Sequence, residues 1–162
     1  MFGDRSLSGN NNGIRSLGFG ATTDGVYTPG GAIQLTEAYG VRGAFNHNWS
    51  PTWSSSLFGS YSAVRYNGNA TAAYCNTYGA AVAGRNVTYT CNPDFNVMQV
   101  GLVTRWTPVR NLTFSAEVQY FRLDQNFTGS ATLTPAAPKP TAVYQYRDQD
   151  TILLNVRAQR NF

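Results

Sequence analysis

Alternation of apolar and polar side chains with a period of two, the mark of a strand whose two faces meet different surroundings, recurs along five stretches of this chain. In the first, the odd positions Ile33, Leu35, Glu37, Tyr39, Val41, Gly43, Phe45, His47 and Trp49 are mainly apolar, and the even ones include Gln34, Thr36, Arg42, Asn46 and Asn48. The pattern restarts after Ser50-Pro51-Thr52, where Trp53, Leu57, Gly59, Tyr61 and Ala63 oppose Ser54, Ser56, Ser60 and Ser62, and Phe58 breaks the polar face. A third run, Phe95 to Thr107, sets Met98, Val100, Leu102 and Trp106 against Gln99, Gly101 and Arg105. A fourth, Leu112 to Leu123, sets Phe114, Ala116, Val118 and Tyr120 against Thr113, Ser115, Glu117 and Gln119. The fifth, Tyr146 to Phe162, sets Ile152, Leu154, Val156, Ala158 and Phe162 against Thr151, Asn155, Arg157, Gln159 and Asn161.

The connections are short after the first and third runs (Ser50 to Thr52; Pro108 to Asn111) and long after the second and fourth (Asn67 to Pro93; Asp124 to Thr141). Short and long connections therefore sit at opposite ends of one antiparallel sheet. All seven prolines fall outside the five runs, as an unbroken hydrogen-bond ladder requires. Residues 1–32 read as a long Gly/Asn-rich loop with room for a short strand near Ile14 to Phe19, and residues 33–162 as the sheet.

In a soluble sandwich the apolar faces of two sheets pack on each other and the polar faces meet bulk water. Here the polar face is small and mostly uncharged, chiefly Ser, Thr, Asn and Gln with an occasional Arg or Glu. A transmembrane barrel accounts for that composition, because its apolar side chains meet lipid, its polar ones line a wet lumen, and closure leaves no edge unpaired. Trp49, Trp53, Trp106 and Phe162 fall at the short-turn end, and Tyr61, Tyr66, Tyr120 and Tyr146 toward the long-loop end, as two interfacial girdles would. The same rings are also ordinary strand formers that a soluble core could pack. The predicted fold class is all-β, an incomplete antiparallel transmembrane β-barrel segment of five strands with long loops at one end and short turns at the other.

Composition narrows the alternatives. Aromatics reach 14% and charged residues only 12%, the opposite of a disordered chain. No stretch approaches the ~20 apolar residues of a spanning helix. The net charge of +4 comes from one Lys, Lys139, and eleven Arg spread singly from Arg5 to Arg160, so no nucleic-acid-binding surface is expected. Cys75 and Cys91 lie in the polar stretch Asn67 to Pro93 with no histidine nearby to suggest a metal. An oxidising compartment would pair them, and a loop of that size would contribute roughly 3 kcal/mol; two unpaired loop thiols are the other reading.

No catalytic set can be assembled. The sole histidine, His47, sits on the apolar parity beside Trp49, where it reads as an interfacial residue, and Glu37 and Glu117 lie on different strands and opposite parities. Gly18-Phe19-Gly20 and Gly40-Val41-Arg42-Gly43 lack the spacing of a phosphate loop. Asp148 and Asp150 come without a calcium-ligand loop. The expectation is no enzymatic activity, no cofactor and no metal.

The segments Trp106-Thr107-Pro108-Val109-Arg110-Asn111-Leu112-Thr113, Glu117-Val118-Gln119-Tyr120 and the closing Arg157-Ala158-Gln159-Arg160-Asn161-Phe162 resemble the last periplasmic-turn and strand segments of the alphaproteobacterial general-diffusion porins. Phe45 to Tyr61 resembles the hairpin before them. Ending on Phe162 after alternating Ile152, Leu154, Val156 and Ala158 also resembles the C-terminal signature by which outer-membrane barrels are recognised, with Arg160 where a hydrophobic residue is commoner. The resemblance implies a trimeric outer-membrane barrel of about 16 strands that passes small hydrophilic solutes and ions. Single-chain bacterial barrels have even strand numbers from about eight upward. Five strands, with no export signal visible after Met1-Phe2, read as the C-terminal part of such a porin. Its short turns would be periplasmic and its cysteine-bearing loop extracellular. The pore-lining candidates are Arg42, Gln99, Arg105, Glu117, Gln119 and Arg157, either as part of a basic wall that biases permeating ions or with Glu117 and Arg157 paired across neighbouring strands. Trp49, Trp53, Trp106 and Phe162 are the membrane-interface candidates. The rival class is a secreted β-sandwich, an adhesin or lectin-like binding module.

Overall fold

The computed structural model describes residues 25–134 and 140–162. The short strand expected near Ile14 to Phe19 lies outside the described residues. In chain order the elements are β1 (Gly25–Tyr27), β2 (Ile33–Leu35), β3 (Glu37–Ser50), β4 (Trp53–Arg65), α1 (Gly68–Ala81), β5 (Val87–Thr90), β6 (Phe95–Val109), β7 (Leu112–Gln125), β8 (Thr128–Leu133), β9 (Ala142–Tyr146) and β10 (Gln149–Arg160). The five longest strands form one sheet in the order β10-β7-β6-β4-β3, and among the described residues that sheet is open at β3 and β10. The fold is the expected all-β one, an antiparallel sheet of an incomplete barrel.

Four features depart from the sequence expectations. The first run is interrupted at Thr36, so that Ile33–Leu35 pairs with β1 rather than joining the large sheet. Segment 1–32, read as a loop with room for a short strand, carries β1 at Gly25–Tyr27, a place that the pattern did not mark. The fifth run divides at Arg147-Asp148, with Tyr146 ending β9 and β10 starting at Gln149. Pro108 stands inside the last turn-proximal residues of β6, one residue before the strand ends, where a missing donor costs little.

Chain contacts divide the molecule into two compact units. The wall unit comprises Gly40–Ser62, Val97–Arg122 and Asp150–Phe162, which are the short-turn parts of the five long strands. Its turns are tight. Thr52 N donates to Ser50 Oγ at 3.2 Å beside Pro51, and Asn111 adopts φ 66°, the left-handed conformation that Asn tolerates in a two-residue turn.

Among the described residues the loop unit comprises 25–39, Ala63–Asn96 and Leu123–Gln149. Both long connections that read as loops are folded here. Asn67 caps a 14-residue helix, its Oδ1 accepting from Ala70 N at 2.9 Å, and alanines at 70, 72, 73, 80 and 81 supply the helix propensity. Ala70 and Ala73 are buried, and α1 packs on β1 and β2, where Asn67 Nδ2 donates to Gln34 Oε1 at 2.9 Å. The second connection supplies β8, which pairs with β9 just beyond that connection and with β5 from the first, so the two connections interlock in one three-stranded sheet.

Cys75 on α1 and Cys91 just after β5 form a disulfide with Cα atoms 5.9 Å apart. Closing that loop contributes roughly 3 kcal/mol to the loop unit in the chain-entropy model. Reduction is therefore expected to expose α1 to chymotrypsin at Tyr74 and Tyr78, read as cleavage that appears with dithiothreitol and is absent without it. Equal resistance in both states would assign the stability of the helix to its packing alone.

Candidate pore-lining face

The polar parity of the wall unit is tied together across strands. On β6, Arg105 donates from Nη1 to Ser56 Oγ of β4 at 2.8 Å, Ser56 donates to Asn46 Oδ1 of β3 at 2.7 Å, and Asn46 Nδ2 donates to Asn48 Oδ1 at 3.3 Å. Toward the other edge, Gln99 Nε2 of β6 donates to Gln119 Oε1 of β7 at 2.8 Å, and Gln119 Nε2 donates to Glu117 Oε1. Nearer the turn, the hydroxyls of Thr107 and Thr113 lie 3.0 Å apart. These polar side chains thus meet partners on the same face, the cross-strand pairs by which a two-faced sheet is stabilised.

Of the six residues read from sequence, Gln99, Gln119 and Glu117 are brought into one hydrogen-bonded group, and Arg105 into another. Arg42 stands apart from both, lining a hollow of about 380 Å³ with Gly43, Ala44, Phe58 and Gly59. Arg157 is exposed on β10, the neighbour of β7 that carries Glu117. Sequence reasoning missed Asn46 and Ser56 as partners of Arg105; their even parity was legible, but the cross-strand register that joins them was not. Phe58, which broke the polar pattern, has a structural cause. Its ring lies over Gly101, where an added Cβ would come within 2.4 Å of the ring.

The opposite parity is apolar and bare. Phe45, Trp49, Leu57, Leu102, Ile152, Leu154 and Val156 are all exposed, Val156 at 74%. One series of its polar groups is satisfied within the sheet. Trp49 Nε1 donates to Ser55 Oγ at 3.1 Å, Ser55 to Thr104 Oγ1 at 3.3 Å, and Thr104 to the Ser54 carbonyl at 3.4 Å, so the series ends on an acceptor and leaves no donor over. Hydrocarbon demands that arrangement, because a donor facing it has no water to turn to.

Trp53, Trp106 and Phe114 cluster on this face, with ring centroids 6.5 Å and 5.8 Å apart in succession. Trp49 instead meets His47 edge-on at 4.3 Å, and Phe162 lies beneath the guanidinium of Arg160 at 5.6 Å. The aromatic residues read as one girdle therefore form three separate contacts, with His47 paired to Trp49.

In the loop unit, Phe127 is 3% exposed and sits among Tyr78, Tyr89 and Tyr146, with centroids 5.0, 5.7 and 5.0 Å away. Tyr78 and Tyr146 share a hydroxyl hydrogen bond. Burial first, then that bond and the neighbouring phenols, raise the Tyr78 pKa above the ordinary tyrosine value. Arg65 holds the root of this unit: its Nη1 donates to the carbonyls of Val64 and Phe95 at 2.9 and 3.0 Å, its Nη2 to Asn96 Oδ1 at 2.6 Å, and its guanidinium lies over Tyr39.

No group of three or more His, Cys, Asp or Glu side chains among the described residues could hold a metal. No helix there is long and apolar enough to cross a membrane. Neither a curated protein nor a solved structure matches the chain. A family model described as the porin subfamily matches residues 14–155 of the 162, taking in β3, β4, β6 and β7 whole and β10 as far as Asn155. The chain belongs to the porin subfamily.

Proposed function

We propose that this chain supplies the C-terminal section of an outer-membrane porin barrel that passes small hydrophilic solutes and ions passively, three copies forming a trimer, with no cofactor and no chemical step. Porin membership supports an outer-membrane channel in general terms. The observation that carries the finer reading is the contrast between the sheet's two faces. One is apolar and bare, with Trp49, Ser55 and Thr104 hydrogen-bonded within the sheet; the other carries Arg42, Arg105, Glu117 and Arg157 among amides and hydroxyls. A sandwich adhesin would have to cover the apolar face, yet among the described residues its large side chains stand exposed. The open edges at β3 and β10 call for further strands before a barrel can close. Long connections face outward in this reading, and Trp49, Trp53, Trp106 and Phe162 lie at the periplasmic interface.

Porin purified from the outer membrane and placed in planar lipid bilayers is expected to give steady, ohmic channels, and to run on gels as a trimer that heating dissociates. Replacing Arg157 with Ala should shift the reversal potential in a salt gradient toward cation preference, since one positive charge leaves the wall. An unchanged reversal potential would instead assign Arg157 to bracing, as the partner of Glu117. A soluble, monomeric, non-conducting product would overturn the channel reading altogether.

A further inference from the structure

The hydrogen bonds around Arg105 fix a charge that would otherwise wander. Ser56 has one hydroxyl proton and gives it to Asn46, so its oxygen meets Arg105 only as an acceptor. From Arg105 to Ser56, Asn46 and Asn48, every donor points the same way across β6, β4 and β3. Aligned series of this kind polarise and strengthen their members. The guanidinium is thereby held at one place on the wall although the residue is exposed.

That place borders a hollow of about 340 Å³ at the short-turn end. Arg105 and Asn48 line it together with the hydroxyl-bearing residues Ser50, Thr52, Ser54 and Thr107, and Trp53 backs it. No carboxylate lines the hollow, and Glu117 is engaged with Gln119. A guanidinium has five N–H donors in a planar fork matched to the oxygens of a small oxyanion, and Ser56 takes one of them.

We propose that this hollow is a weak binding station for small inorganic oxyanions at the short-turn mouth of the channel, with Arg105 as the binding residue and Ser56 as its positioning residue. The inference rests on the diffusion reading above and adds to it a solute class and a location. An open, hydrated hollow binds weakly, which a conducting path requires, since a solute held tightly would block it.

The test uses the porin as the cell makes it, purified from the outer membrane, reconstituted in planar bilayers and titrated with inorganic phosphate at constant ionic strength and pH. Phosphate is expected to reduce the chloride current in a saturable way. R105Q should raise the half-blocking concentration about tenfold and S56A about threefold, with the double variant no worse than R105Q, because charge-assisted hydrogen bonds exceed neutral ones and the two residues act in series. An R105Q titration that superimposes on wild type overturns the station and leaves the diffusion reading standing. An S56A titration identical to wild type overturns the positioning role. A preparation that conducts no ions at all overturns the diffusion reading, and the station with it.

Discussion

Phe127→Ala should unfold the loop unit while the wall strands stay paired. Phe127 is almost fully buried and touches Tyr78 from α1, Tyr89 from β5 and Tyr146 from β9, so one ring joins both long connections. Removing such a ring costs about 3–5 kcal/mol, the lost transfer energy plus the cavity left behind. The unit's other buried apolar side chains are mostly small, Ala63, Ala70, Ala73 and Ala131 beside Val64, Val82, Phe95 and Leu123, so little is at hand to refill the space of the ring. The disulfide would keep α1 near β5 without restoring the packing. Hydrogen–deuterium exchange on the detergent-solubilised protein is expected to show peptides from α1, β5, β8 and β9 losing protection while β6 and β7 peptides near the short turns keep theirs. Uniform retention of protection would mean that the loop unit is held from elsewhere.

The same cluster gives the loop unit an alkaline limit. The Tyr78 pKa is raised by burial and by its bond to Tyr146, so folding favours the neutral phenol. The sign follows directly: the stabilisation is complete below the unfolded value of about 10 and is lost as pH rises through the higher folded value. In wild type the tyrosinate absorbance of Tyr78 should therefore appear together with loss of loop-unit protection. In Phe127→Ala it should appear at lower pH.

The wall was legible in the sequence because its code is repetitive. Alternation at Ile33 to Trp49, Trp53 to Ala63, Phe95 to Thr107 and Leu112 to Leu123 needs no knowledge of partners; the last three runs fell within an observed strand, and the first did so from Glu37 on. The short connections read at Ser50 to Thr52 and Pro108 to Asn111 then marked which strands are neighbours, and the structure narrows them to Pro51-Thr52 and Arg110-Asn111. The loop unit was not legible, and the reason differs for each element. α1 buries alanines, which leave no stripe of large apolar residues to mark a helical face, and its polar, Gly-bearing sequence resembles a loop. β5 and β8 are short and rich in Thr and Ser, and become strands only by pairing with each other across residues 91–127. No local pattern encodes that pairing. On the polar face, parity named Arg105, Gln99, Gln119 and Glu117, but only register could show that Ser56 and Asn46 hold Arg105. The oxyanion station depends on that register.

Gly129→Ala should be the most damaging single-methyl change in the chain's described glycines. Gly129 lies in the central strand of the loop-unit sheet, opposite Tyr89 on one side and Tyr146 on the other. Paired residues share a face, so a missing side chain at 129 leaves the space over which those two rings close on Phe127. Its φ of 118° is foreign to residues with a Cβ, and an added Cβ would lie 2.0 Å from the Thr88 carbonyl oxygen and 2.5 Å from Tyr89 Cα. Those are backbone atoms of a paired strand, which cannot rotate aside, so the clash has to separate β5 from β8. Backbone strain and the broken pairing together are expected to cost about 4 kcal/mol. Two other glycines serve as controls for the two causes. Gly84 has a φ of 77° with nothing within 4 Å of an added Cβ, so its substitution tests backbone strain alone, at about 1 kcal/mol. At Gly101 an added Cβ meets the far end of the Phe58 ring, which can swing away over the polar face. In a urea titration followed by chymotrypsin cleavage of the loops, the midpoint should fall sharply for G129A, slightly for G84A and hardly at all for G101A. If G84A and G129A fell equally, the left-handed backbone would account for both, and the close approach of β5 to β8 would not be what requires glycine at 129.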